Sequence, residues 1–71
     1  IVKQQTYSSL KSFVIQLPKE QREVVVLRHY AELSFKEISE MTGVSINTAL
    51  GRMRYALINL RKMMKESLIA I

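Results

Sequence analysis

Few kinds of side chain in this sequence could do covalent chemistry. There is one histidine, His29, with no cysteine and no aspartate anywhere. A Ser–His–Asp triad, a Cys–His pair and a thiolate or multi-histidine metal site therefore all lack members. The two glycines, Gly43 and Gly51, do not form a phosphate-cradling loop. No catalytic residue, cofactor or metal ligand is expected. The polar residues of "INTALGRMR" offer a different chemistry. Asparagine can bond an adenine edge through two hydrogen bonds, and arginine can do the same with guanine. Asn47 and Arg54 are so placed that both can project from one face of a helix, with Leu50 and Gly51 between them.

Charge points the same way. The net charge is +5, and it is uneven. Residues 1–40 hold six lysines and arginines against five glutamates; residues 41–71 hold five against one. The excess lies on the last segment, as a polyanion partner would require, although a solvated helix face would carry the same charges. Arg61, Lys62 and Lys65 also suit the negative end of a helix dipole.

The elements that would position these groups are helices. The 71 residues allow one small domain, 1–71, and 48% apolar composition is enough for a modest core. In residues 4–16, Tyr7, Leu10, Phe13 and Val14 recur at helical spacing, continued by Leu17. Pro18 suits the first turn of a second helix, "PKEQREVVVLRHYAE", with Glu20 and Glu23 near its positive end and Val24, Val25, Leu27 and Leu33 for burial. The three valines resemble a strand, but no turn signal isolates them from helix-forming flanks. Ser34 and Glu37 form an S-x-x-E capping box for a third helix over 35–42, with Phe35, Ile38 and Met41 facing inward. Gly43 ends it as a left-handed cap. Ser45 caps a fourth helix reaching about Leu68, with Ala49, Met53, Ala56, Leu57, Leu60 and Met64 as its core stripe. The expected fold is all-α, four helices with a long C-terminal one.

Helices three and four, joined by a short glycine-containing turn, match a helix-turn-helix. Ser39 is small enough for close helix approach, and Val44 and Ala49 can pack the turn. A hairpin used only for packing would satisfy the same pattern. If Ala49, Met53 and Ala56 face inward, then Asn47, Leu50, Gly51 and Arg54 face outward, where the front of a recognition helix meets base edges. Leu50 could touch a thymine methyl. Gly51 would let the helix come close to a duplex, giving a reason for its cost of roughly 1 kcal/mol against alanine. First-turn N–H groups near Ser45 can receive a phosphate.

"LPKEQREVVVLRHYAELSFKEISEMTGVSINTALGRMRYALINLRK", Leu17 to Lys62, resembles region 4 of bacterial RNA polymerase sigma factors, and most of all the extracytoplasmic-function type. The specific parts are the "LPxxQREV" opening, the "SFKEISEMTGVS" hairpin and the "NTALGRMRYALINLRK" helix. The resemblance implies recognition of the promoter −35 element in the major groove and docking on the β-flap of core RNA polymerase, and it leaves room for an anti-sigma factor as partner. It implies DNA contacts from Ser45, Asn47, Thr48, Leu50, Gly51, Arg52 and Arg54, with phosphate contacts from Arg22 and Lys36 on the earlier helices. Relatives often carry a Thr-Val-Lys-Ser-Arg-Leu-like run where this chain has Thr48-Ala49-Leu50-Gly51-Arg52-Met53, so two polar contacts are replaced.

The family's region 2 is absent from these residues, and the first residue is Ile1. The chain is expected to be the C-terminal domain of a longer factor, and not to initiate transcription by itself. A cytoplasmic location is expected, with no membrane helix, since no apolar run approaches the roughly 20 residues needed. Two rival readings stay open: a helix-turn-helix output domain of a response regulator, and a protein-interaction module without DNA contact.

Overall fold

The computed structural model describes the backbone of residues 10–70 and the side chains of 10–67. Within these residues there are four helices and no strand. The first, α1, covers 10–16, so the expected start at residue 4 and the expected packing of Tyr7 lie outside the described residues. Helix α2 runs Lys19–Val25 and widens into a π-helical turn, Val26–Tyr30. Helix α3 is Phe35–Thr42 and α4 is Ile46–Ala70. The fold is all-α, as its pattern of apolar residues predicts.

The break between α1 and α2 follows from proline. A residue preceding proline is disfavoured in the α conformation. Leu17 accordingly leaves the helix, and its N–H donates back to the Val14 carbonyl at 3.1 Å. Pro18 is the N-cap of α2 rather than a residue of its first turn: its carbonyl accepts from the Arg22 N–H at 2.9 Å, and it has no N–H left to satisfy.

The valines are helical, as their flanks require. Val24 and Val25 are buried, whereas Val26 is 40% exposed at the start of the π turn. That turn shows the wider spacing in its closing bonds: Ala31 N–H donates to Val26 O at 3.1 Å and Leu33 N–H to Leu27 O at 3.0 Å. Glu32 takes a left-handed φ of 57°, reversing the chain towards α3. Arg28 holds this reversal from both sides. Its guanidinium donates to the Leu33 carbonyl at 3.1 Å and lies 5.3 Å from the centre of the Phe35 ring, a cation–π distance.

One core serves all four helices. Val14 and Leu17 come from α1 and its end, Val24 and Val25 from α2, Ile38 from α3, and Ala49, Ala56 and Leu60 from α4. Two of the three α4 members are alanines, which lets the α4 backbone lie close against α2 and α3. A partly buried pair fixes the α2–α4 register: Asn59 Nδ2 donates to Gln21 Oε1 at 2.7 Å.

Three expected core positions are corrected. Met41 is 65% exposed, because the inner face of α3 is Phe35, Ile38, Ser39 and Thr42. On a helix this short the hydroxyl residues can face inward if they are bonded. Thr42 Oγ1 donates to the Ile38 carbonyl at 2.7 Å, and Ser39 Oγ donates to the Val44 carbonyl. Leu57 and Met64 are 40% and 45% exposed. The α4 stripe instead passes through Ala49, Met53, Ala56, Leu60 and Met63, a regular alternation of four- and three-residue steps that leaves Leu57 and Met64 on a flank.

Candidate nucleic-acid interface

The hairpin that presents α4 is tied at three points. Ser34 Oγ accepts from the Glu37 N–H at 3.1 Å, and Glu37 Oε1 accepts from the Ser34 N–H at 3.0 Å, so the α3 capping box is complete. These bonds favour the ionised carboxylate, the backbone one most, and hold the Glu37 pKa below its ordinary value. At the other end of α3, Gly43 adopts φ 73° and its N–H donates to the Ser39 carbonyl at 3.0 Å. That φ is natural for glycine and strained for most residues. The Ser39 hydroxyl bond to Val44 then fixes the next residue of the turn. Ser45 opens α4: its Oγ accepts from the Thr48 N–H at 3.1 Å and donates to Thr48 Oγ1 at 2.9 Å. Only residues 43–45 separate the two helices, so α4 is held at a fixed angle by bonded residues.

The front of α4 gathers six of the nine expected contact residues. Ser45, Asn47, Thr48, Leu50 and Arg54 are exposed, and Gly51 lies among them on the outward side. Asn47 and Arg54 lie two turns apart, roughly 10 Å along the axis. The other three have different settings. Lys36 is exposed in the first turn of α3, at the far end of that helix from the turn. Arg22 is half-buried, and its Nη1 donates to the Ile15 carbonyl at 3.2 Å, tying α2 to α1. Arg52 is half-buried and lines a cleft against α2 with Glu20, Glu23 and Val24. Two carboxylates therefore share its surroundings, unlike those of Arg54. Ile46, 44% exposed in the first turn of α4, belongs to the same front. Its place four residues before Leu50 was the available signal. No pattern in the sequence marked the Asn59–Gln21 bond or the Arg28 contacts.

A capped two-helix hairpin with a three-residue glycine turn, set on a small helical core and exposing polar and basic residues at the front of its second helix, is a helix-turn-helix DNA-binding domain. Residues 8–57 match the family model described as sigma-70, region 4. The match spans most of the chain, and the chain belongs to that family. Region 4 is a DNA-binding domain of transcription initiation and not an enzyme family, and membership implies binding of promoter −35 DNA. It also implies interaction with core RNA polymerase. No curated protein and no solved structure matches the chain. Among the described residues no helix is long and apolar enough to cross a membrane.

Proposed function

We propose that this chain reads the promoter −35 element with the front of α4 in the major groove, acting in the cytoplasm as part of a sigma factor of the extracytoplasmic-function type. The observation that carries the reading is the exposure of Asn47, Leu50 and Arg54 on a helix whose entry angle is fixed by the Ser34, Gly43 and Ser45 bonds. Asn47, nearest the helix start, meets an adenine edge; Arg54, two turns on, meets guanine or leans on a phosphate at the groove wall. Ser45, Thr48 and the first-turn N–H groups take a phosphate, and Lys36 flanks the duplex. Docking on the β-flap of core polymerase leaves this front free if it uses α2, where Lys19, Arg22, Glu23, Val26 and Leu27 line an open groove.

Salt dependence tests the assignment of the two arginines. Each phosphate neutralised adds about 0.9 to the slope of log affinity against log salt. Arg54→Ala is expected to reduce that slope by about one and to weaken binding to every duplex. Arg52→Ala is expected to change it less, because Glu20 and Glu23 border its side chain. Equal effects, measured by titrating a promoter duplex at several salt concentrations, would mean that Arg52 swings out to the DNA. Binding of the β-flap with no salt-dependent DNA binding at all would favour the protein-interaction reading instead.

A further inference from the structure

Two neighbouring residues at the front of α4 lack an explanation within the protein. Gly51 lies inside a 25-residue helix, where glycine is less favourable than any residue but proline. It does not have a positive φ, and a Cβ built on it would meet nothing within 4 Å. Neither backbone conformation nor internal packing asks for glycine here. Beside it, Leu50 leaves a large apolar side chain 43% exposed, and Ile46, one turn earlier, is 44% exposed. The rest of this front is polar, with Asn47, Thr48 and Arg54 all exposed.

Both features make sense against one kind of surface. A missing side chain lets a helix sit deeper on whatever it touches. An apolar side chain beside that gap needs an apolar group to cover it. In the major groove the base edges offer a single apolar group, the 5-methyl of thymine. We infer that Leu50 and Gly51 form a thymine-methyl reading site: Gly51 lets α4 approach the base edges, and Leu50, with Ile46 behind it, packs on the methyl of one A·T pair. That pair lies between those facing Asn47 and Arg54, since the roughly 10 Å between these residues spans about three base-pair steps. The inference rests on the major-groove reading and adds to it a specificity-determining contact.

The experiment uses the full chain and duplexes it selects from a randomised pool. In the selected duplex each thymine is replaced in turn by deoxyuridine, which removes only the methyl. Burying one such group corresponds to about a four-fold change in affinity. One position is expected to show about that loss with the wild-type chain and none with Leu50→Ala. Gly51→Ala is expected to raise the denaturation midpoint while weakening the selected duplex ten-fold or more. Unchanged affinity at every deoxyuridine position would overturn the inference and leave DNA binding intact, and needs no variant to fold. A Gly51→Ala chain that binds like wild type would also overturn it. Failure of the wild-type chain to bind or select any duplex would overturn the major-groove reading as well.

Discussion

The helices of the hairpin both begin with a serine, and the two serines are wired differently. Ser34 exchanges bonds with Glu37, so α3 starts with two satisfied N–H groups and a carboxylate on its positive end. Ser45 bonds Thr48 through backbone and hydroxyl, and no acidic residue lies in the first turn of α4. The first arrangement closes a helix end and neutralises it. The second caps the helix but leaves its positive end open to an anion. The difference separates a start that holds the fold from a start that faces a partner.

Making the second start resemble the first is expected to have the largest effect. Thr48→Glu creates an S-x-x-E box at Ser45, which should keep or raise stability. It also sets a carboxylate against phosphate, and like-charge juxtaposition costs several kcal/mol. DNA affinity should fall by roughly 100-fold while the thermal midpoint does not fall. If affinity is retained, the front of α4 does not approach the backbone. The reciprocal change is smaller and of the opposite kind. Ser34→Ala is expected to cost about 0.5–2 kcal/mol of stability. DNA affinity of the folded chain should hold. Denaturant titration alongside DNA binding would check both, and lost affinity without lost stability would contradict the division.

The smallest effect concerns pH. The folded Glu37 pKa lies below its unfolded value, so the unfolded chain binds more protons between the two. The contribution is complete above the ordinary glutamate range and is lost as pH falls through the lowered folded value. Glu37→Gln, which keeps the cap geometry without the charge, should flatten that part of the stability–pH curve. A curve identical to wild type would mean that Glu37 is not ionised against Ser34 in solution.

The caps themselves are legible in the sequence, because caps are local: Ser34, Glu37, Gly43 and Ser45 act on residues within four positions of themselves. The long-range features are not. Leu57 and Met64 were expected inward because they are apolar and close to the right spacing, yet the face of α4 is decided by what α2 and α3 offer. There it is the amide of Asn59 that turns in, to Gln21. Met41 was expected inward for the same reason, and bonded Ser39 and Thr42 took the place. Within the interface, the spacing from Asn47 to Arg54 predicted a common outward face, and both are exposed. It could not tell that Arg52 lies in a cleft beside Glu20 and Glu23, or that Arg22 bonds the end of α1, since both depend on helices distant in sequence.

The claim that the front of α4 reads bases rests most directly on Asn47, the exposed amide nearest the helix start. The decisive measurement is a competition between a promoter −35 duplex and a scrambled duplex for the wild-type chain and for Asn47→Ala. A base-reading asparagine predicts a loss of about 1–3 kcal/mol on the promoter duplex, with non-specific affinity nearly intact. Equal weakening of both duplexes would contradict it and would place Asn47 on the phosphate backbone.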